Sequence, residues 1–310
     1  KKYRWRMFWG IVLTTIVAAC ALVSPYVSKL IVDRVIQHEQ YGMLKNLIIV
    51  LIVTIIIRGI CRFFSQVLFE TSSQNVLYSM RDTVYRKLLQ EDFAFYNKNR
   101  TGDLMSRQTG DMDAIRHFVA YVIYVTYEYV LYFVIALIMI FATNLKMALC
   151  MVLVLPLTAL TTYFQAKSVK PAFRNCRNAF SSLNTFVQEN VSGNRVVKAF
   201  AKEDYEMEKF AVENDKYRDS ELGAANVWKK YVPLFELFSN ILTLVLMLVG
   251  GIMVVNGQMT MGDLVAVNGY LWMLTMPLRM AGWLINDMQR FTTSVEKIYN
   301  TYIAEPDVKK

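Results

Sequence analysis

Apolar runs separated by polar stretches set the layout of the chain. They fall at about 7–32, 47–69, 118–142, 147–166, 234–255 and 263–285. Each has the roughly 20 residues that an α-helix needs to cross a hydrocarbon core. Pro25, Pro156, Pro233 and Pro277 lie in or beside these runs, where neighbouring helices can satisfy the backbone groups that proline frees. The connections alternate between short (33–46, 143–146 and 256–262) and long (70–117 and 167–233). Within the long ones an apolar stripe continues at helical spacing: Leu77, Met80, Val84 and Leu88 in one, and Leu183, Val187 and Asn190 in the other. The membrane helices are therefore expected to run on beyond the bilayer. A continuation such as 212–233 projects roughly 30 Å at the α-helical rise. The pattern predicts an all-α polytopic membrane protein, with six transmembrane helices and long extensions in residues 1–303.

Two reversals interrupt the extensions. Phe93, Phe95 and Tyr96 precede the turn-rich stretch Asn97–Asp103. Residues 202–210 read as a short charged helix displaying Tyr205, Met207 and Phe210. Two elbows tipped with apolar side chains suggest docking points for a partner.

Charge placement orients the helices. The short connections hold Arg34, Lys45 and Lys146, whereas residues 70–117 hold seven Lys and Arg, residues 168–233 hold eleven, and each terminus adds four. By the positive-inside rule the termini and both long connections are cytoplasmic. The net charge of +9 therefore reads as membrane topology, and no nucleic-acid partner is expected. The 55% hydrophobic composition is not that of a soluble globular protein, and the six spans exclude a soluble enzyme. Cys20, Cys61, Cys150 and Cys176 lack ligand spacing and read as small hydrophobes, and the chain has only His38 and His117, so no metal site is expected. Lys1 to Arg6 followed by Val17-Ala18-Ala19-Cys20 imitates a lipoprotein signal, but the apolar run continues to Val32, too long for a signal core.

Ionisable groups inside spans are costly, so each needs a partner or a watery cavity. The candidates are Arg58, Arg62, Glu128, Glu236 and Arg279. Arg62 and Glu128 both lie roughly 22 Å from the outer ends of their spans. Two readings stand: they form an intramembrane pair, or Glu128 faces a central cavity and attracts cationic substrates. Tyr121, Tyr124, Glu128 and Tyr132 form an aromatic stripe around the acid, and the sixth run offers Trp272, Met273, Met276, Met280 and Trp283. Together with Glu236, these are candidates to line an adaptable apolar cavity. Ordinary helix packing or an interfacial aromatic belt is the alternative. Glu236 and Arg279 read as gate residues or as snorkelling charges.

Several local patterns resemble one family. They are Phe95-Tyr96 with Thr101-Gly102-Asp103-Leu104-Met105-Ser106-Arg107 and Asp111-Met112-Asp113; Gly193 with Val197-Lys198-Ala199-Phe200 and Glu203; and Gly257 with Thr260-Met261-Gly262-Asp263-Leu264. Pro277-Leu278 and Ser294-Val295-Glu296-Lys297-Ile298 complete the series. In order and spacing the chain resembles the transmembrane domain of ATP-binding-cassette exporters of the six-helix, domain-swapped type, as in multidrug and lipid exporters.

The resemblance implies a dimer, with an identical chain or a paralogue, in which the fourth and fifth helices cross to the other subunit. It also implies coupling to nucleotide-binding domains through Tyr96, Arg100, Thr101, Gly102, Asp103 and Leu104, and through Glu203, Tyr205, Met207 and Phe210. Lys297 stands where the family usually has arginine, so charge is kept and the bidentate fork is lost. Neither a Gly-x-x-x-x-Gly-Lys-Ser/Thr loop nor a Leu-Ser-Gly-Gly-Gln signature occurs. No cofactor is therefore expected in this chain, with ATP and magnesium belonging to a nucleotide-binding domain outside it. Residues 304–310 look like the start of the linker to that domain, so a truncated chain is expected, with a separate membrane subunit as the alternative. The implied function is ATP-driven export of small amphipathic molecules by alternating access, in a bacterial plasma membrane. An importer of metal chelates on the same scaffold, or an ATP-regulated channel or regulatory subunit, are the rival readings.

Overall fold

Long apolar runs form long helices because each backbone N–H and C=O is then satisfied within its own segment. The computed structural model describes residues 3–304, with no strand among them. Of the expected linker, residues 305–310 lie outside the described residues. α1 (Arg4–Leu30) continues through a π-helical stretch, Ile31–Gln37, and α2 (Leu44–Leu88) follows. α3 (Phe93–Lys98) has only six residues. α4 (Thr101–Ser106), α5 (Met112–His117) and α6 (Ile123–Thr143) run on from one another through π-helical turns. Then come α7 (Leu145–Ser192), α8 (Asn194–Ala199), α9 (Glu203–Val245), α10 (Gly251–Val255) and α11 (Met261–Tyr302).

Five described helices are long and apolar enough to cross a membrane: Arg4–Gln37, Tyr41–Leu88, Thr101–Thr143, Leu145–Ser192 and Glu203–Val255. The sixth expected span, 263–285, lies in α11, where Asp263, Asn268 and Arg279 lower the apolarity. α11 buries Tyr270, Leu271, Met273 and Leu274. A helix packed inside a bundle needs less apolar surface than one facing lipid.

The chain divides into two units, one made of residues up to Met151 together with those from Thr243, the other of Val152–Leu242. In the first unit, small residues let α1 and α2 approach closely. A side chain at Gly10 would meet the Phe69 ring at 2.9 Å, and Thr14, Ser65 and the Gly10 carbonyl are linked by hydrogen bonds of 2.9–3.0 Å. Such contacts replace the hydrophobic drive that is missing between helices in lipid. Phe69 then centres an apolar cluster with Val122, Tyr124, Val125 and Leu284. A second cluster joins Leu77, Val84, Leu88, Leu104, Met112, Ile115 and Ile298, so the stripe expected to extend α2 is buried against α4, α5 and α11.

At the end with the short connections, α1 and α11 are tied by charge. Asp33 accepts hydrogen bonds from Thr260 Oγ1 (2.8 Å) and the Gly262 amide (2.7 Å), and Lys29 pairs with Asp263. Thr260 and Asp263 also form a reciprocal capping box at the start of α11. Gly257 takes a φ of 69° in the preceding turn, a conformation that costs glycine little. The expected connection at 143–146 shrinks to one non-helical residue, Asn144, whose Oδ1 accepts from the Lys146 and Met147 amides and so caps α7.

In the second unit, α7 and α9 pair antiparallel. Ser168 bonds Tyr231 (3.1 Å), the Cys176 thiol bonds the Ser220 carbonyl (3.1 Å), and the rings of Phe180 and Phe186 meet those of Tyr217 and Phe210 at a tilt. Position numbers rise along one helix as they fall along the other, which is the register of a hairpin. α8 closes it.

Candidate functional site

The structure brings the charges of α2 and α6 together. Arg62 Nη2 lies 3.1 Å from Glu128 Oε2, the Tyr132 hydroxyl donates to Glu128 Oε1 at 2.5 Å, and Arg58 donates to the Tyr132 hydroxyl at 3.4 Å. Glu128 and Tyr132 are only 4% and 2% exposed, whereas the Arg62 side chain keeps 42% of its surface open. Both carboxylate oxygens are thus occupied by donors of this chain. That is the condition for burying an acid at low cost.

Aromatic rings extend this network in both directions. Tyr132 meets Trp272 of α11 edge-on at 5.3 Å. About two turns before Glu128, in the π-helical stretch that leads into α6, Tyr121 meets Tyr124 and Trp283, and it stacks on His117. His117 Nε2 lies 3.2 Å from Asp287. Trp272, Met276, Arg279 and Trp283 recur at helical spacing on one face of α11, which is half-buried or exposed, with Met280 half-buried beside it. Met273 turns off that face and is fully buried in helix packing, so it leaves the expected cavity set. Its spacing from Trp272 rotates it by about 100°. Glu236 is exposed on α9, in the second unit.

At the first elbow, Asp92 caps α3 by accepting from the Phe95 amide at 2.9 Å. The expected turn over Asn97–Asp103 narrows to Asn99 and Arg100, because α3 and α4 take the rest. Phe93 is 89% exposed. Tyr96 donates its hydroxyl to the Leu88 carbonyl at 2.8 Å, which holds α3 against the end of α2. Arg100, Thr101, Gly102 and Asp103 are exposed, whereas Leu104 belongs to the core cluster. Leu104 therefore anchors the elbow and does not form its tip. Behind it, Arg107 donates to Thr301 (2.8 Å), and Asp111 accepts from Ser294 (2.8 Å) and faces Lys297 at 3.5 Å. Lysine at 297 thus reaches its acid with a single ammonium. Arg116 bridges Glu70 and Asp113, and its hydrogen bond holds the Asp113 carboxyl below the ordinary range.

The second elbow corrects an expectation. Residues 202–210 are not a short helix. Glu203–Val245 is one 43-residue helix whose first turn carries Glu203, Asp204 and Glu206, acids that favour a helix N-terminus. The short helix is α8, Asn194–Ala199. Phe200 follows it at 72% exposure, and Ala201 has a φ of 49°. Tyr205, Met207 and Phe210 are exposed on the first turns of α9, Lys209 sits 4.3 Å over the Tyr205 ring, and Glu203 pairs with Lys198. The exposed Val196 and Phe200 were missed as tip residues. Gly193 before them, a break in the helical stripe, was the signal.

Residues 7–278 match the family described as ABC transporter transmembrane region. The chain is 31% identical over 310 residues to an uncharacterized ABC transporter ATP-binding protein, YknU, of Bacillus subtilis (strain 168), covering 99% of this chain and 52% of that protein. It is 28% identical to the multidrug resistance-like ATP-binding protein MdlA of Escherichia coli (strain K12), covering 95% and 50%. It is 25% identical to an ATP-dependent lipid A-core flippase of Syntrophus aciditrophicus (strain SB), covering 93% and 47%. The chain spans about half the length of the curated relatives it matches.

Proposed function

The chain belongs to the ABC transporter transmembrane region family, and from that premise we propose that it is the substrate-translocating half of an ATP-driven exporter of amphipathic molecules. The observation that carries the reading is the pairing of a charge-bearing helix bundle with elbows whose tips leave Phe93 and Phe200 exposed. Large exposed aromatics on polar extensions are suited to seating in a partner's pocket. The partners are nucleotide-binding domains, and a second transmembrane subunit completes the pathway.

The distribution of Lys and Arg supports a cytoplasmic location for the termini and both elbows. ATP drives export only if its binding favours the outward-facing arrangement over the inward-facing one. The elbows transmit that preference. α3 is held to α2 by Tyr96, and α4 to α11 through Arg107 and Thr301, so a push on the elbow moves packed helices rather than a loose loop. The relatives are named as multidrug-resistance-like proteins and a lipid flippase, which supports export over uptake and over a gated pore.

The test uses the full-length protein in vesicles. Phe93→Ala and Phe200→Ala are expected to lower ATP-driven export of an amphipathic dye by about tenfold or more, as interface aromatics do. ATP binding to the nucleotide domains stays intact. Unchanged export in both variants overturns the coupling role, and ATP-dependent uptake of the dye overturns the direction.

A further inference from the structure

We propose that His117 and Asp287 form a proton-binding site whose occupancy sets how firmly α6 is held to α11. The inference goes beyond the transporter reading and depends on neither cargo nor ATP.

The pair is one rung of a seam. Position numbers rise along α4, α5 and α6 as they fall along α11, from Arg107 with Thr301 at one end, through His117 with Asp287, to Tyr132 with Trp272. Imidazole is the side chain whose charge changes between about pH 5 and 8. His117 is the histidine of this seam, since His38 lies between the first and second spans. Of the described rungs, this one answers to protons. It is also reachable from water. His117 directly precedes the third apolar run, Asp287 stands just past the sixth, and the His117 side chain is 36% exposed. The π-helical turn Phe118–Val122 begins right after it, a local departure from regular winding that is frequent at functional sites.

The surroundings favour the proton. The Asp287 side chain is 15% exposed, and the partner described for it is His117 Nε2 at 3.2 Å. Around the pair, α5 brings Asp113 and Arg116, α2 brings Glu70, and α11 brings Arg290, whose charge and that of His117 are both felt by Asp113. From α1 come the apolar Met7 and Ile11, beside Phe118, and the Tyr121 and Trp283 rings flank the imidazole. Arg116 is held by Glu70 at 3.1 Å and by Asp113 at 2.8 Å. Three carboxylates thus share two guanidiniums, and a proton on His117 closes the balance. Neutral imidazole offers Asp287 an N–H alone, whereas imidazolium offers an N–H and a charge, which makes the stronger bond. The effect is reciprocal. If the proton strengthens the rung, parting α6 from α11 releases the proton.

The experiment uses the full-length protein in phosphatidylcholine nanodiscs without ATP or cargo. Trp283 lies edge-on to His117 at 6.1 Å, and imidazolium quenches indole emission more strongly than imidazole does. With Trp5, Trp9, Trp228 and Trp272 replaced by Phe, the emission of Trp283 is expected to fall by about half, in one step, between about pH 8 and pH 5.5. His117→Gln, which keeps an N–H for Asp287, abolishes the step. Asp287→Asn keeps the hydrogen bond and removes the charge that favours the proton, so it displaces the step to lower pH. Spin labels at Thr109→Cys and Thr292→Cys, in a background without native cysteines, then read the seam. The population at longer separation is expected to be about fivefold larger at the high-pH end than at the low, the scale separating a charged from a neutral hydrogen bond. In His117→Gln it is the same at both ends.

Emission that is flat across the range overturns the proposal, as does a step that survives His117→Gln. A clear step with label distances that ignore pH also overturns it, because the proton then binds without holding the seam. Should His117→Gln fail to fold, Asp287→Asn decides: a step that stays at the wild-type pH overturns the pairing. Absence of ATP-driven flux bears on the transporter reading alone, and absence of the titration bears on this inference alone.

Discussion

Tyr132 gives its hydroxyl proton to Glu128 and receives an N–H from Arg58, so one phenol serves two charged groups inside the bundle. Tyr132→Phe removes both bonds while keeping the ring against Trp272. The expected loss is about 1–3 kcal/mol of stability, the usual cost of leaving a buried partner unsatisfied, read as a lower unfolding temperature in detergent. Glu128→Gln keeps an acceptor for Tyr132 and removes the buried charge, so it is expected to cost less than Tyr132→Phe in the same assay. If Glu128→Gln is the more damaging, the ion pair outweighs the hydroxyl. That Arg58, Arg62, Glu128, Glu236 and Arg279 sit inside apolar runs was legible from hydropathy alone. Which of them meet was not, because depth along a helix is a sequence property and rotation about its axis is a packing property.

At several helix ends the chemistry is local. Asn144 and the Thr260–Asp263 capping box act within a few residues of themselves, and Gly257 marks its turn by its φ. The tie between α1 and α11 is different, since Asp33 and Gly262 are far apart in the chain. A Cβ at Gly262 would lie 2.5 Å from the Asp33 carboxylate. Gly262→Ala is therefore expected to break the Asp33 contacts and cost about 1–3 kcal/mol. Gly251→Ala meets nothing within 4 Å and is expected to be neutral or stabilising by up to about 1 kcal/mol. Thermal unfolding of the pair checks both, and equal effects would show that Asp33 does not care what stands at 262. The second elbow failed at this scale for a related reason. A cluster of charged residues at 202–210 looks like a separate helix, but no proline lies between Lys202 and Lys230 and the single Gly223 is tolerated, so the segment joins α9.

For the whole molecule, side assignment is the testable matter. Six crossings return both termini to one face of the membrane, and five do not. α11, the helix short of the apolarity of the others, is the crossing in question. In the full-length protein with its native cysteines replaced, Gln40→Cys is expected to react with an impermeant maleimide on intact cells, and Asn99→Cys and Phe200→Cys only after permeabilisation. A label on Tyr302→Cys in intact cells would remove α11 from the spanning set and overturn the six-crossing reading.

The apolar runs, their lengths, the alternation of short and long connections and the excess of arginine over acid in the deep spans are determined by sequence alone. They depend on how each residue meets water or lipid, and on a helical repeat that is the same everywhere. Tertiary structure decided that Arg62 reaches Glu128, that Met273 and Leu104 are core, and that α8 makes the short helix of the second elbow. Each of these turns on which face of one helix meets which face of another, and that is settled by side-chain volumes and close approaches, such as Gly10 under Phe69, that no single segment contains.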